Sequence, residues 1–582
     1  TGSVLAQEDV ERVLEEVVVS GYRGSMLQSI NMKRDSDAVV DAITAEDIGK
    51  FPDKNVAESL QRVPGVTIQR QFGEGSAVSV RGVGNELTLT TLNGQNVAST
   101  GWFVFQPAKR SFNYELLPSE LVGNIEVYKS AQADLPEGGV GGTVMINTRR
   151  PLSLDDLTVF VSAEAQYQDD SEETDPLVSG LVSWKNENET FGALISAVSG
   201  ERSLQRQGDE AFWEWGAGPV AFEQERKRTA FTGTLQWRPN ENFDAVLNYV
   251  DMEMEADNTN HALWLTQGNT SWSGVDVPDE CLLQGTPVCG PLNVAFAQVR
   301  PREATMESDV IDLDMTWRGD GYTLEFQIGE TTSSGGTDFE MVADDGTGGT
   351  PIAGGSYDFT GGKQTWDTGD FDIKTYDPGS LVMGQGSAFN ATPKTDEEQY
   401  AQFDAEFEFA AGPIYAIKAG GRYADHNTSS RRFEFIQDPG FNPVISTAEV
   451  ADGTIDVGAS SLEIKKYDGD KLKRWAKSSI IGRTEDFGAY SEIDEENSAV
   501  YAMAKFEGDA FRGNFGIRYV TTDATSTYYL DGVKNEVDAD YSEVLPSFNL
   551  AMDINDELVA RFSAARVMSR PQYVDMYVNP DN

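Results

Sequence analysis

This chain of 582 residues has only two histidines with which to build a catalytic or metal-binding site. The two histidines, His261 and His426, stand far apart in acidic, polar stretches, which is typical of solvated loop residues. Carboxylates are numerous, yet no glycosidase-like motif stands out among them, although isolated acid–base pairs stay open. We therefore predict no catalytic residue, no metal site and no cofactor, except that an acidic loop such as Asp344-Asp345 could bind calcium.

The two cysteines, Cys281 and Cys289, stand close together in a loop rich in proline and glycine, with no histidine nearby. This spacing predicts a disulfide that pins the loop rather than a zinc site, and disulfides are typical of exported proteins. Near the start, Val4-Leu5-Ala6 resembles the end of a secretory signal peptide, and the alternative is that Gly2-Ser3 comes from an expression tag. We favour export through a signal peptide.

The chain has 95 acidic and 45 basic residues, which gives a formal charge of −50. Such a surface repels a phosphate backbone, so nucleic acid is excluded as the leading partner. Aromatic residues make up 10% of the chain, too many for a chain that never packs. No run of about 18 apolar residues is present, which excludes a membrane-spanning helix but not membrane-spanning strands.

Two regions of the chain differ in the secondary structure that their sequences predict. The first combines short strands with helix signals, and the pair Asn93-Gly94 predicts a hairpin. In the second, segments of about ten residues alternate between apolar and polar positions, so that Leu235 and Trp237 would share one face of a sheet. Tight turns alternate with long connections near 254–305, 332–396 and 426–495. This alternation favours an outer-membrane barrel over a soluble sandwich.

Five short motifs, in order along the chain, resemble those of the TonB-dependent outer-membrane receptors. The first resembles the TonB box, a β-prone segment that can add a strand to the sheet of a partner. The others resemble motifs of the plug domain that fills the barrel of these receptors. The segments are Glu15-Glu16-Val17-Val18-Val19-Ser20, Phe51-Pro52-Asp53-Lys54-Asn55-Val56, Val78-Ser79-Val80-Arg81-Gly82, Leu92-Asn93-Gly94, and Ile125-Glu126-Val127-Tyr128-Lys129-Ser130 with Glu137-Gly138-Gly139-Val140-Gly141-Gly142.

The resemblance implies a mainly β fold, a transmembrane antiparallel β-barrel with an N-terminal α+β plug domain. It divides the chain into residues 1–35 (signal remnant, TonB box and linker), 36–150 (plug domain) and 151–582 (N-terminal part of the barrel). The barrel of this family is expected to have about 22 strands, whereas about 14 alternating segments occur here. We therefore expect a fragment without the C-terminal strands, which forms an open sheet and does not function alone.

The resemblance also implies active import of a scarce nutrient across the Gram-negative outer membrane, with no enzyme activity. The implied partners are TonB, which transmits the energy of the inner-membrane proton gradient, outer-membrane lipid and lipopolysaccharide, and a small-molecule substrate. Lys129-Ser130 stands where many members have Arg-Gly, and with Glu137-Gly138-Gly139 it resembles a subgroup with several oligosaccharide importers. We predict a carbohydrate substrate, because the negative charge also disfavours anionic ferric chelates.

The alternatives stay open. A ferric-siderophore or cobalamin importer shares the fold. A passive porin or an adhesin is a different class of protein, and it would lack the TonB box and plug motifs. A secreted β-rich hydrolase is a third possibility.

Aromatic side chains are the candidates for sugar binding, because their rings stack on the apolar faces of sugars. For each of them, loop packing or a place in an interfacial belt is the alternative. The candidates are Trp102, Phe103 and Phe105 in the plug, Trp213 and Trp215 in a loop, and Trp264 and Trp272 near the cysteines.

The plug motifs also predict local contacts. Arg81 is expected to pair with a lumen carboxylate such as Asp404 or Glu406, and a solvated arginine is the alternative. The glycines of the closing motif are expected to allow tight turns beside the barrel wall; they are Gly138, Gly139, Gly141 and Gly142.

Overall fold

A small N-terminal domain packs against the inner face of a curved wall of long strands. The computed structural model describes residues 22–44, 55–103, 106, 108–212, 216–266, 279–283, 286–361, 364–459, 462–555 and 558–578. Strands make up 65% of the structure and helices 9%. The mainly β fold class is therefore confirmed.

In its described residues, the N-terminal domain has a five-stranded sheet, one hairpin and two α-helices. The sheet is antiparallel except for one parallel pair, Thr88–Leu92 beside Gly142–Thr148. In the helix Val56–Leu60, the Asn55 side chain accepts a hydrogen bond from the Glu58 backbone, which caps the first turn. The other elements are the helix Tyr22–Asp35, the strands Val40–Thr44, Gln95–Asn96 and Val122–Tyr128, and the hairpin strands Val66–Gln71 and Glu74–Val80.

The wall consists of thirteen strands in the part of the chain that the structure describes, close to the 14 expected. Each strand pairs in antiparallel register with the next one. Within the described residues no register joins the first strand to the last, so the wall is not closed. The strands are Leu157–Tyr167, Thr174–Lys185, Phe191–Phe212, Gly216–Asn240, Phe243–Trp264, Val294–Gly319, Tyr322–Met341, Phe389–Ala411, Ile414–Ser430, Ser491–Gly508, Phe511–Leu530, Val533–Asp553 and Val559–Ala565.

The two faces of the wall differ as the alternation predicted. On the strand Gly216–Asn240, the side chains of Leu235 and Trp237 are about half exposed, at 46% and 52%, on the outward face. Thr234 and Gln236, which alternate with them along the strand, are only 1% exposed, because they face the N-terminal domain and neighbouring polar side chains. Turns at one end, the short-turn end, are only a few residues long, and the longer connections lie at the other, the long-loop end.

Beyond the apolar band, the outward face becomes acidic. Four exposed carboxylates lie directly opposite one another on four neighbouring strands, with the registers Asp425 to Glu496, Glu496 to Asp523 and Asp523 to Asp540. Like charges directly opposite on a sheet destabilise it. On the inward face, carboxylates such as Asp396 and Glu495 instead accept hydrogen bonds from the N-terminal domain.

Short elements fill the long-loop end and pack on the outward side of the strand ends. The helix Gly469–Lys477 contacts the strand Val294–Gly319, and buries Leu472 and Ala476. The other elements here are the helix Thr447–Val450, and the strands Leu282–Leu283, Thr286–Pro287, Cys289–Pro291, Ala343–Asp345, Thr350–Pro351, Ser356–Asp358, Thr365–Asp367, Ser380–Met383, Phe433–Gln437, Val444–Ser446, Ala451–Val457, Leu462–Tyr467 and Ile480–Glu485. A helical turn, Tyr573–Met576, follows the last wall strand.

The histidines lie elsewhere than the sequence predicted. His261 and His426 are buried in wall strands, with exposed fractions of 1% and 7%, and neither is a solvated loop residue. The prediction was wrong because each ring is enclosed by a carboxylate partner, Glu223 for His261 and Asp396 for His426. In the described residues, no helix is long and apolar enough to span a membrane.

Candidate functional site

The tip of the N-terminal hairpin forms the floor of a vestibule, the space bounded by the inward faces of the wall at the long-loop end. The tip residues Phe72 and Gly73 have φ angles of 50° and 77°, the left-handed conformation that a two-residue hairpin turn requires. For Phe72 this conformation costs roughly 1–2 kcal/mol. The turn thereby presents the Phe72 ring to the wall.

Four aromatic rings meet at this tip. The Phe72 ring stacks on Phe222 of the wall, with centroids 4.5 Å apart and planes 25° apart. Its centroid lies 5.2 Å from that of Trp102 and 5.7 Å from that of Phe103. Phe72 and Phe103 are half-buried, whereas Trp102 lies beneath them and is fully buried. The accessible aromatic surface of the floor is therefore that of Phe72 and Phe103.

Cationic side chains surround the rings. The Arg206 guanidinium carbon lies 5.2 Å from the Phe72 ring centroid, and that of Arg302 lies 5.9 Å from the Phe103 centroid. Lys394 donates from its ammonium group to the backbone oxygen of Phe103 at 3.4 Å. A cation over an aromatic face is stabilised by the ring quadrupole. The floor thus combines rings with positive charge.

A cleft of about 210 Å³ opens beside the tip. It lies between the hairpin and residues 99–113, and its lining is polar. Gln106 donates to Gln71 across one side at 3.1 Å. The cleft also receives Arg70 and Lys109, and Lys109 has no ion-pair partner among the described residues. Amides and cations would therefore meet any ligand in this cleft.

Polar rows line the inward face of the wall above the floor. The register places Asn260 opposite Arg300 and Asn258 opposite Arg302. Arg302 donates to Glu340 at 3.0 Å and is almost fully buried. Above them, Gln298 accepts hydrogen bonds from Trp264 at 3.3 Å and from Arg300 at 3.1 Å, and donates to Asp344 at 2.7 Å. Trp264 lies in this inward wall, and its ring contacts Phe212 edge-on.

Beneath the floor lies a buried ion cluster, which we call the tip cluster; its members are Glu74, Glu115, Arg202, Arg226 and Arg228. Arg226 contacts Glu74 at 2.5 Å and Glu115 at 2.9 Å, and Arg228 contacts Glu74 at 2.9 Å. Burial alone would raise the pKa of Glu74, but the arginines lower it to about 2. Burial raises the pKa of Glu115, against the attraction of Arg226.

A second set of contacts, the cavity cluster, borders a cavity of about 110 Å³ between the N-terminal domain and the wall. Arg110 donates to both oxygens of Glu495, at 2.8 and 2.6 Å. The backbone N–H of Ser99 donates to Asp396 at 2.8 Å, and the other oxygen of Asp396 lies 2.6 Å from His426. The further members are Asn96 and Arg422, which both donate to Glu398, and Tyr573, which stacks on His426.

The closing motif of the N-terminal domain ties it to the last part of the wall. Glu137 contacts Arg518 at 2.8 Å and Arg570 at 2.6 Å. Burial would raise the pKa of Glu137, but these two guanidinium groups hold it well below its usual range. At Gly141, a Cβ atom would lie 2.8 Å from the backbone oxygen of Val80, so this position accepts only glycine without a backbone shift.

The Arg81 prediction was wrong. Its φ of 59° turns the chain at the end of a strand, and its guanidinium donates to the backbone oxygen of Gly141 at 2.9 Å. Asp404 instead accepts a hydrogen bond from Tyr501, and Glu406 pairs with Lys505. Arg81 therefore stabilises the N-terminal domain itself and does not reach the wall.

The structure also places the predicted turn residues, the two cysteines and the acidic loop. Asn93 and Gly94 form the predicted hairpin turn between paired strands, with φ angles of 52° and 89°, and Gly82, Gly138 and Gly142 also have positive φ. Gly139 lies in the closing loop. Cys281 and Cys289 form a disulfide. Asp345 accepts hydrogen bonds from Thr347 and Tyr376, so protein donors occupy its carboxylate; calcium binding stays a prediction.

Several predicted residues lie outside the described part of the chain. They are the TonB box residues Glu15, Glu16, Val17, Val18, Val19 and Ser20, and the aromatic candidates Phe105, Trp213, Trp215 and Trp272. Trp102 cannot stack on a ligand in this conformation, because Phe72, Phe103 and Phe222 cover it.

Sequence reasoning missed Phe72 and the tip cluster. A signal was present, because the pair Phe72-Gly73 stands between two segments with strand character, where a turn must place its side chains at the tip of a hairpin. Nothing in the sequence pairs Glu74 or Glu115 with arginines more than a hundred residues away.

Family comparisons follow the two regions of the structure. Residues 32–143 match the model of the TonB-dependent Receptor Plug Domain, and residues 343–582 match that of the TonB dependent receptor-like β-barrel. A comparison with curated proteins finds no match.

Among solved structures, the chain is similar to the ferric citrate transporter FecA in its unliganded form, with a TM-score of 0.50 and 15% identity over 92% of this chain and 63% of that one. It is also similar to the ferripyoverdine receptor of the outer membrane of Pseudomonas aeruginosa bound to ferripyoverdine, with a TM-score of 0.51 and 12% identity over 90% of this chain and 56% of that one. The similarity shows a shared fold, and the chain spans less than two thirds of either relative.

Proposed function

We propose that this chain, which contains the plug and β-barrel domains of the TonB-dependent receptors, serves TonB-dependent import of a small molecule across the Gram-negative outer membrane. The N-terminal domain is the plug, and the wall is the barrel region. The segment Glu15–Ser20 is the TonB box, which TonB engages by strand addition. Outer-membrane lipid and lipopolysaccharide surround the outward face, and export uses a signal peptide.

We infer that the substrate is an anionic ferric chelate. The observation that supports this is the set of cations at the vestibule floor. Arg206 lies beside the Phe72 ring and pairs with Glu210, and Lys109 lines the adjoining cleft. The overall charge of −50 disfavours anions, but local charge decides recognition, because interactions between exposed charges are screened beyond about 10 Å. The two structural neighbours, named for ferric citrate and ferripyoverdine, have substrates of this kind.

A carbohydrate is the second candidate. The inward face offers the amide of Gln298, which contacts Trp264 beside Phe296, with the amide of Asn260 further along the strand of Trp264. Amides that hold sugar hydroxyls beside aromatic rings are the usual means of sugar recognition. This candidate corresponds to the oligosaccharide prediction, which was based on the closing motif around Lys129-Ser130 and on the negative charge.

Competition binding separates the two substrates. The chain in detergent is titrated with ferric citrate, a ferric catecholate and a neutral oligosaccharide, and tryptophan fluorescence reports binding. We expect saturable binding of a ferric chelate, and Arg206→Gln with Lys109→Gln should weaken it about tenfold or more, because each removes a charge-assisted contact. Arg318→Gln with Lys534→Gln, the same two-charge change away from the vestibule, should leave binding unchanged.

If the chain binds the oligosaccharide but no ferric chelate, and the double substitution leaves that binding unchanged, the proposed substrate is a sugar and not a chelate. Absence of uptake in cells that carry the whole receptor and an intact TonB would remove the import function itself.

A further inference from the structure

The segment that follows the last wall strand lies between the plug and the wall. We call residues 566–577 the strap. Its Met568 packs against buried apolar side chains of the inward face of the wall, among them Val520. On its other side, Arg570 contacts Glu137 of the plug at 2.6 Å. The strap therefore fills part of the gap between the plug and the wall.

Three spaces adjoin one another along this gap. The cleft of about 210 Å³ beside the hairpin tip and the cavity of about 110 Å³ have Ser99, Lys109 and Phe112 in common as lining residues. The cavity in turn shares Glu137 and Gly138 with a third space of about 40 Å³. Strap residues line both the cavity and the third space. The strap thus borders a path that leads from the vestibule floor to the closing motif of the plug.

The spaces are too small for a ferric chelate in this conformation. Sites that enclose small-molecule ligands have volumes of roughly 300–1,000 Å³, and the cavity and the third space lie well below that range. A substrate can therefore follow this path only if one of its borders moves. The borders are the plug, the wall and the strap.

Of these borders, the strap has the weakest backbone attachment. Ladders of backbone hydrogen bonds hold the neighbouring wall strands and the plug sheet. Among the described residues, no backbone-to-backbone hydrogen bond joins residues 567–577 to the plug or the wall. Side chains hold the strap instead: Arg110 donates to the Pro571 backbone oxygen at 2.6 Å, and Ser526 donates to that of Met576 at 2.9 Å. Segments with few backbone hydrogen bonds open locally at low cost.

Displacement of the strap leaves two buried charges of the plug paired with the wall. Glu137 loses its strap partner but keeps Arg518 of the wall at 2.8 Å. Arg110 loses the Tyr573 ring, whose centroid lies 4.1 Å from its guanidinium carbon, but keeps both oxygens of Glu495. Displacement of the plug would break these wall contacts as well, and an unpaired buried charge is strongly destabilising. Movement of the strap therefore leaves fewer buried charges unpaired than movement of the plug.

We propose that the substrate passes the plug along the strap, and that movement of the strap opens this path while the plug keeps its place. Lys109, which lines both the cleft and the cavity, offers an anionic substrate a positive charge where the path begins. The inference rests on the proposed import function. It adds the route of the substrate and the element that opens this route.

Two engineered disulfides in the whole receptor separate movement of the strap from movement of the plug. Ser526→Cys with Met576→Cys ties the strap to the wall. Ala98→Cys with Thr331→Cys ties the plug to the wall, at a point where the Ala98 backbone N–H donates to the Thr331 hydroxyl at 2.9 Å. Mass spectrometry confirms that each disulfide has formed.

Uptake of radioactive iron, supplied as ferric citrate, is measured in cells with intact TonB before and after mild reduction. We expect the strap disulfide to abolish uptake and reduction to restore it, because the tied strap keeps the path closed. The plug disulfide should leave uptake at the level of wild type treated in the same way. Loss of uptake with the plug disulfide, or unchanged uptake with the strap disulfide, would overturn the proposal.

Hydrogen exchange of the chain in detergent tests the strap without a substrate. Amides of residues 567–577 should exchange at least about 100-fold faster than those of the plug strands Val122–Tyr128 and Gly142–Thr148, because local opening costs far less than unfolding of a packed sheet. Equal protection of the strap and the plug strands would also overturn the proposal. Absence of uptake by wild type contradicts the import function, whereas the exchange rates still test the strap, so the two failures are distinguishable.

Discussion

Two of the regions that attach the plug to the wall have opposite polarity. In the tip cluster the plug supplies the carboxylates, Glu74 and Glu115, and the wall supplies the arginines. In the cavity cluster the plug supplies donors, such as Arg110 and the Ser99 N–H, and the wall supplies the carboxylates. A rotated or shifted plug would place like charges together, so the reversal fixes the orientation of the plug.

The two regions also differ in packing. The rings of Phe72 and Trp102 cover the tip cluster. The Arg226 guanidinium carbon lies 5.4 Å from the Trp102 ring centroid. The cavity cluster borders a polar cavity large enough for several water molecules. Water can replace partners lost from the cavity cluster but not those lost from the tip cluster. We therefore expect the tip cluster to act as the firm attachment and the cavity cluster as the side that opens.

Removing the tip carboxylate should produce the largest effect. Glu74→Gln leaves buried arginines without their main counter-charge, and breaking a buried ion pair from one side costs about 3–5 kcal/mol. Differential scanning calorimetry of the chain in detergent should show an earlier plug transition. Glu58→Gln is the matched control, because Glu58 pairs with the partly exposed Arg70, and such a pair contributes about 1 kcal/mol or less. Equal shifts for the two variants would contradict the difference between the regions.

The firm attachment of the tip cluster should also appear in how the stability of the plug depends on pH. The pKa of Glu74 is lowered to about 2 from its ordinary 4.5, which corresponds to about 3 kcal/mol of stability. For an acid whose folded pKa is lowered, this stability is present above the ordinary pKa and is lost as pH falls through the folded value. Glu115, whose burial raises its pKa, contributes in the opposite direction.

Comparing wild type with Glu74→Gln isolates the Glu74 contribution. The gap between their unfolding free energies should stay constant from pH 7 to about pH 5 and close as pH approaches about 2. Tryptophan fluorescence during denaturant unfolding at each pH provides the measurement. A gap that closed already near neutral pH would mean that Glu74 is not held ionised by the arginines.

The cavity cluster should tolerate substitution better. In Asp396→Asn one carboxylate oxygen becomes an NH₂ group, which cannot accept from Ser99 or His426, and the loss should be about 1–3 kcal/mol before water compensates. Hydrogen exchange of residues 96–100 should speed up, while exchange in the hairpin Val66–Val80 should stay unchanged. Faster exchange in the hairpin would show that the two regions open together.

Sequence reasoning predicted much of this architecture because the signals are local. Alternation along strands such as Gly216–Asn240 identifies the outward face, and Asn93-Gly94 identifies a turn from two residues. The pairing of Cys281 with Cys289 needed only their proximity in the chain.

The ion clusters could not be predicted in this way. Glu74 lies 152 positions from Arg226, and Ser99 lies 297 from Asp396. Such contacts depend on how the plug is rotated within the wall, which no local pattern specifies. Arg81 shows the opposite error. Its resemblance to a plug motif led to the prediction of a distant carboxylate partner, whereas its guanidinium donates to the backbone oxygens of Gly141 and Val140 in the same domain.

The smallest expected effect is a gain in stability. It distinguishes the carboxylates on the outward face of the wall from those on the inward face. Inward carboxylates such as Asp396 have donors, whereas Asp523 faces Glu496 and Asp540 across the register and has no cation within ion-pair distance among the residues that the structure describes. Asp523→Asn should therefore stabilise the wall by about 0.2–1 kcal/mol, because like charges directly opposite destabilise a sheet. The gain should shrink at high salt, which screens exposed charges. Thermal unfolding at two salt concentrations measures it, and a destabilised variant would show that the outward row is held by partners as the inward carboxylates are.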